Sequence, residues 1–485
     1  MARPCPNRSA HGRPRSRACR SGGATWALLG LVLASCSLGP RYHRPDVPAP
    51  AHWVAAEPAA APDALSPEWW REYGSPELDA LMERARSTND DIGAAIARVR
   101  EADAQRRIAG AGLLPTLTAG GTAVRERAPV SAGGFQTFDQ YTPLATVGYE
   151  LDFWGRRRAA FVAAKAAANA SRYDRVTVEL TVMSGVATTY FLSLELRDRA
   201  AIAEANLASA DRILQGLRRQ RSVGTATALD VAQQETIVAT LSAAIPPLRQ
   251  QLRQALDALA ILVGSTPDGI DVGSGNLEAL TAPSVGAGLP STLLARRPDV
   301  ASAEAQLVAA NADIAAARAA FFPSISLTAT GGYESAALAT LLTPASRIWS
   351  LGAGVTQPIF AGGALRGQSE YAKARYAELL SGYHKAAISA FADTEDALSG
   401  VRQTADQLER EQLAVAQARR AYDIARAQLD AGTINVLILL NTEMALFSAR
   451  DALAQVRYAR LQASVDLFRA LGGGWTTGVT AGRSP

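Results

Sequence analysis

Polar and apolar residues alternate strictly at Ser324-Ile325-Ser326-Leu327-Thr328-Ala329-Thr330, directly after a helix-compatible run that ends at Pro323. Period two is the mark of a strand with two unlike faces. Proline marks the change, because it cannot continue a helix and biases the residue before it toward extended structure. The same switch occurs earlier, in "AGAGLLPTLTAGGT" from Ala109 to Thr122, with Pro115 lying 208 residues before Pro323.

That offset organises the chain. "NDDIGAAIARVREADAQRRIAGAGLLP" from Asn89 overlies "RPDVASAEAQLVAANADIAAARAAFFP" from Arg297, and "GTATALDVAQQE" from Gly224 overlies "GTINVLILLNTE" from Gly432. One structural unit has been duplicated, with a period too long for a solenoid. Each copy reads as helix, strand, loop, strand, long helix, turn, helix. The first copy predicts a helix over 77–113, strands over 114–125 and 142–153 joined by a polar loop, and a long helix from Gly155 to about Gln220. The second predicts strands over 324–334 and 348–360 and a long helix over 365–430. Each rod is roughly 100 Å long at ~1.5 Å per residue.

The long helices carry apolar seams. Val176, Leu180, Met183, Ala187, Tyr190 and Leu194 recur at alternating steps of four and three, as do Ala387, Phe391, Thr394, Leu398, Val401, Ala405, Leu408, Gln412 and Val415. A 3.5-residue repeat predicts helices packed side by side. Four strands of about membrane-spanning length, the second with Ala145, Val147, Tyr149 and Leu151 on one face and the third with Ile325, Leu327, Ala329 and Tyr333, suit a transmembrane β-barrel. Four are too few to close one, since known barrels begin at about eight strands and an open edge in lipid leaves backbone groups unpaired. Several chains must therefore contribute to one barrel; two would give a filled interior and three would leave room for a pore.

Composition adjusts this picture at the N-terminus. The formal charge of the 485 residues is +4, but residues 1–35 hold six arginines and no acid. Without them the balance is about −2, which gives no electrostatic case for nucleic-acid binding. The basic segment is followed by the apolar run "ATWALLGLVLA" from Ala24 to Ala34 and then by "LASC", Leu33 to Cys36. The run is too short for a permanent membrane helix, which needs roughly 20 residues. A leucine, two small residues and a cysteine resemble a bacterial lipobox, in which Cys36 becomes the acylated first residue. The alternative is an ordinary signal peptide. The other cysteines, Cys5 and Cys19, lie in the segment to be removed, so Cys36 has no disulfide partner in the remainder.

Several stretches resemble TolC-type outer-membrane efflux channels of the NodT-like lipoprotein branch: "CSLGPRYHRPDVPAPAHW" (Cys36 to Trp53), "EWWREYGSPELDALMERARSTNDDI" (Glu68 to Ile92), "LLARRPDVASAEAQLVAANADIAAARAAFFPSISL" (Leu293 to Leu327), "YELDFWGRRRAA" (Tyr149 to Ala160) and "PIFAGGALRGQ" (Pro358 to Gln368). The resemblance covers nearly everything after residue 33. It implies a homotrimer with a twelve-stranded transmembrane β-barrel continuous with a long periplasmic α-helical barrel, closed at a periplasmic tip. It also implies docking to a periplasmic adaptor (membrane fusion) protein and an inner-membrane pump, with passive conduction of small molecules from periplasm to exterior. The expected division is a signal peptide 1–35, a lipid-anchored arm 36–76, repeat one 77–264, a linker 265–288, repeat two 289–472 and a tail 473–485. The outer membrane of a Gram-negative bacterium, with the chain extending into the periplasm, is the expected location.

The family's tip maps onto the turns at Arg221 to Val231 and Leu429 to Leu439, where Gly224 and Gly432 let the chain reverse. Asp230 matches the acids that the family often places there for a cation-sensitive constriction; as a residue opening a helix it equally suits an N-cap. The second turn departs, with Ile434, Leu437 and Ile438 at positions often polar and Asp430 the nearest acid. The gate is thus acidic, through Asp230 and Asp430, apolar, through Ile434, Leu437 and Ile438, or a mixture of the two, which is favoured because one turn keeps the family's acid and the other has lost it.

Catalytic chemistry is not expected. The four histidines (11, 43, 52 and 384) have no metal-ligand spacing, no phosphate-cradling glycine loop is present, and the chain beyond Cys36 has no cysteine. No enzyme activity, cofactor or metal is predicted beyond a covalent lipid on Cys36. The competing readings are a TolC-like duct for protein secretion and a structural coiled-coil envelope lipoprotein, which would need no barrel strands.

Overall fold

In the computed structural model, residues 39–55, 66–129, 133–273, 275–283, 286 and 290–475 are described. Cys36 and the signal segment lie outside them. The chain divides into a β unit (Leu113–Ala159 and Ala315–Leu365, with the residues up to Pro40) and a helical unit (Arg41–Gly112, Ala160–Ile314 and Arg366–Pro485).

The β unit is one antiparallel sheet in the order β1 (Thr116–Pro129), β2 (Phe135–Leu151), β3 (Ser324–Tyr333), β4 (Arg347–Thr356). Its register shows what the alternation builds. Leu117 faces Val147, Val147 faces Ala329, and Ala329 faces Leu351; one row along, Tyr149 faces Leu327 and Leu327 faces Ala353. Cross-strand partners point to the same side of a sheet, so one face is apolar through the body of the sheet and turns polar only at its far end, at Arg347 and at the Arg125–Asp139 pair. The intervening rows place Thr118 against Thr146, Thr146 against Thr330, and Thr330 against Ser350 on the other face, where the last two hydroxyls bond at 2.6 Å. Among the described residues, both outer strands, β1 and β4, have one edge with no strand beside it.

The expected polar loop between the first two strands is a ribbon. Pairing runs without interruption to Pro129↔Phe135, well past the last β2–β3 pair at Leu144↔Gly332. Arg125 and Asp139, 3.6 Å apart across the ribbon, and Arg127 over the Phe135 ring supply side-chain pairs there. A ribbon polar on both sides has no hydrophobic alternation, so period two could not reveal it. β4 ends at Thr356, four residues before the expected limit, since Pro358 cannot donate to a ladder.

The helical unit contains α1 (Pro76–Thr88), α2 (Asp90–Ala111), most of α3 (Arg156–Ser222), α4 (Ala228–Leu262), α5 (Pro290–Arg296), nearly all of α6 (Pro298–Ala319), nearly all of α7 (Ala364–Asp430) and α8 (Val436–Ala470). The single helix expected over 77–113 is broken at Asn89. That residue is extended (φ −67°, ψ 127°) and its side chain caps Ile92 N, which separates α1 from α2. The break has a purpose that repeats. Asn89 Nδ2 donates to the carbonyl of Leu262 at 2.9 Å, and Arg297, at the equivalent break between α5 and α6, donates to the carbonyl of Ala470. Each break thus satisfies an orphan carbonyl at the end of its own repeat's last helix. A Cβ on Gly264 would strike the Thr88 carbonyl and one on Gly472 the Arg296 carbonyl, so both positions need glycine for close approach as well as for positive φ.

The seams pack as expected over their central parts. Met183, Ala187, Tyr190 and Leu194 are buried in a core with Trp69, Trp70, Tyr73, Leu259 and Phe468. Phe391 and Leu398 join Trp53, Tyr383 and Leu467 in a second core, with Ala387 buried beside them on the same helix. Gln412, at the far end of the α7 seam, is exposed. Trp53 belongs to the N-terminal arm, which is extended and held along α6 and α7: Arg44 pairs with Glu304 at 3.3 Å and bonds the Tyr383 hydroxyl, and the Val54 and Ala55 N–H groups donate to Glu395 at 2.7 and 3.1 Å. No described helix is long and apolar enough to cross a membrane, which says nothing of the sheet.

Candidate functional site: the two interhelical turns

The turn from α3 to α4 and the turn from α7 to α8 are built alike. Gly224 has φ 80° and Gly432 φ 70°, the left-handed conformation that only glycine adopts without strain. Thr225 N donates to Gln220 O and Thr433 N to Gln428 O, both at 2.9 Å, and each threonine hydroxyl donates to the same carbonyl. These six-to-one bonds are the Schellman closure of a helix C-terminus.

The following helices are capped at equivalent positions with different chemistry. Thr227 caps α4 and accepts from Asp230 N at 3.1 Å, while the Asp230 carboxylate accepts from Thr227 N at 2.8 Å and from the Thr227 hydroxyl at 2.7 Å. This is a capping box. The Thr227 hydroxyl and N–H hold the Asp230 carboxyl below the usual carboxylate range. Asp230 is thus the third residue of α4 reaching back, not the N-cap itself. Asn435 caps α8 through Ile438 N at 3.2 Å, and no acid follows.

The two turns come together through a small apolar cluster. Leu214 and Leu217 of α3, Val231 of α4 and Val436 and Leu440 of α8 are buried together. Leu437 and Ile438 point away from it, each 45% exposed, and Ile434 is half-buried. Asp430, the last residue of α7, is exposed, and Asp230 is partly exposed. Asp430, Leu437 and Ile438 are therefore open at the end of the helical unit, while Asp230 and Ile434 are only partly so, and acid and apolar side chains are both available there. Among the described residues no group of three or more His, Cys, Asp or Glu could hold a metal.

No motif or spacing singled out the polar groups just inside the turns. Gln234 and Glu443 are fully buried and Asn206 nearly so. Gln234 Nε2 donates to Ala210 O at 2.8 Å, whereas Gln234 Oε1, Asn206 Oδ1 and both Glu443 carboxylate oxygens have no donor. Gln234 lies at helical spacing from Val231, Ile237 and Val238, and Glu443 from Leu439, Leu440, Leu446 and Phe447, so a polar residue within an apolar stripe was the signal that could have found these two.

The family model described as outer membrane efflux protein matches residues 81–265 and again residues 289–473, one match on each repeat. The chain is 42% identical over 455 residues to the pyoverdine export outer membrane protein OpmQ of Pseudomonas aeruginosa, covering 92% of this chain and 95% of that one. It is 32% identical over 464 residues to the toluene efflux pump outer membrane protein TtgF of Pseudomonas putida, covering 92% and 96%. Among solved structures it is similar to the outer-membrane channel OprN, with a TM-score of 0.85, 28% identity and coverage of 91% of this chain and 100% of that one. The open state of the Neisseria gonorrhoeae MtrE outer membrane channel gives a TM-score of 0.82 at 28% identity, covering 91% and 99%. A four-stranded sheet with one apolar and one hydroxyl-rich face, doubled long helical hairpins and these matches over both repeats agree: the chain belongs to the outer membrane efflux protein family and is the outer-membrane component of an efflux system.

Proposed function

We propose that three copies of this chain close one twelve-stranded barrel and act as the passive exit duct of a tripartite pump, docking a periplasmic adaptor protein and, through it, an inner-membrane transporter. The observation that carries the reading is the register of the sheet. Its apolar rows, with Trp349 and Leu351 about three-quarters exposed, suit lipid, and its Thr and Ser rows suit water. Among the described residues the β1 and β4 edges lack partners, and unpaired backbone in lipid costs several kcal/mol per group. β4 of one copy beside β1 of the next continues the antiparallel order and closes at twelve strands. Native mass spectrometry in detergent should show three chains, and planar bilayers should show discrete conductance steps. A stable monomer that retains its β content contradicts the closure.

The cargo class is small organic molecules. It rests on relatives named for export of pyoverdine and of toluene. The duct carries no catalytic step and no cofactor. A lipid on Cys36 joins the barrel in holding the complex in the outer membrane, since one acyl chain alone anchors only weakly. Mass spectrometry of the mature N-terminus tests this; a free Cys36 or cleavage elsewhere removes the lipid from the reading.

A further inference from the structure

Glu443 lies two turns into α8, between the apolar cluster of the turns and the buried pair Leu446 and Phe447. It is fully buried, and neither carboxylate oxygen accepts a hydrogen bond. Its equivalent in the first repeat, Glu235, is half exposed and pairs with Arg218 at 2.8 Å. The duplicated position thus carries the same acid in two opposite environments. The groups acting on Glu443 come from α3: the Ser209 hydroxyl and the Arg212 guanidinium both favour the charged form, and burial outweighs them, leaving the carboxyl above its usual range. From α4 the nearby polar group is the neutral Gln234, which bonds Ala210 beside Ser209, and no charged group of α4 or α7 acts on Glu443 among the described residues. This layer of α3, α4 and α8 therefore holds four buried acceptor oxygens without donors: Asn206 Oδ1, Gln234 Oε1 and the two of Glu443. A buried anion whose one nearby donor, the Ser209 hydroxyl, makes no hydrogen bond of ordinary geometry is the costliest member of such a layer, and a proton removes its charge while adding a donor.

We propose that Glu443 is a proton-operated latch between α3 and α8 beside the tip turns. Protonated, it rests between the helices as a neutral group; ionised, it draws water in and loosens their packing. The sign follows from linkage. The packed state holds the proton more tightly than the loosened state, so packing is strongest at low pH. It weakens as pH rises from the ordinary carboxylate range to the raised value of the packed state. The latch concerns helix packing and stands apart from the trimeric duct reading, so the two can fail separately.

The test is amide hydrogen exchange of the full chain in detergent between about pH 5 and 8.5, corrected for intrinsic chemical exchange, comparing wild type with Glu443→Gln and Glu235→Gln. In wild type, amides of 206–217 and 436–447 should lose protection by at least about tenfold across the range, the equivalent of one pKa unit. Glu443→Gln, which copies the protonated shape, should keep the protection at every pH, and Glu235→Gln should follow wild type. A flat wild-type profile, an unchanged profile in Glu443→Gln, or loss of the pH effect in Glu235→Gln overturns the latch.

Discussion

The turns that follow α3 and α7 have the same backbone and different side chains. Gly224 and Gly432 close their helices with the same hydrogen bonds, and Thr227 and Asn435 cap the next helices at matched positions. At the third helical residue, however, one repeat has Asp230 and the other Ile438. Five residues further on, Glu235 meets solvent and Arg218 while Glu443 is sealed inside. The difference teaches that duplication preserved what the chain reversal needs sterically and left free the side chains that surround it. A left-handed glycine has few substitutes; an exposed residue in the first turn of a helix has many.

The largest expected effect tests the shared part. Gly264→Ala and Gly472→Ala each force a Cβ into a facing carbonyl at positive φ. Each should destabilise by about 3 kcal/mol or more, visible as a lower midpoint in thermal unfolding of the detergent complex. Comparable losses in the two repeats confirm that both are held by the same device; a silent one breaks the equivalence.

Next comes the diverged part. Ile438→Ser should raise resting single-channel conductance if the apolar side chains narrow the pore by dewetting. Asp230→Ala with Asp430→Ala should weaken block by millimolar divalent cations applied from the periplasmic side if the acids form the constriction. Ile438→Asp restores the acid to the second turn and should strengthen the block. No change in any of the three places the gate away from these turns.

Cap deletions should be smaller and nearly matched. Thr227→Ala and Asn435→Ala should each cost about 1 kcal/mol in chemical or thermal unfolding, with Thr227→Ala the larger because it breaks both halves of the capping box. Because Asp230 belongs to that box, Asp230→Ala carries a stability loss that must be measured beside its conductance. The smallest effect is Glu235→Gln, at most about 0.5 kcal/mol, since its pair with Arg218 is solvent-exposed.

Much of this was legible in the residues. The 208-residue offset, the prolines at the helix-to-strand switches and the two-faced alternation of Ile325, Leu327 and Ala329 follow from local geometry and were read directly. The β1–β2 ribbon past Arg125 and before Thr142 and the break at Asn89 were not. A ribbon wet on both sides has no alternation, and an Asn inside a helical pattern reads as a tolerated polar residue until the end of α4 is seen to need its side chain. The turns were placed correctly by Gly224 and Gly432, and the second role weighed for Asp230 proved close to its actual one, a capping-box partner of Thr227.

The sequence by itself determined the elements, because helix, strand and turn preferences act over a few residues and leave periodic marks. It also determined that four amphipathic strands were too few for one barrel. Tertiary structure decided which rows of side chains share a face, since register depends on pairing between strands far apart in the chain. It decided too that Glu443 is sealed while Glu235 is wet. Burial is a property of what packs against a position, and a helix pattern shows only its own surface, not the neighbour that covers it.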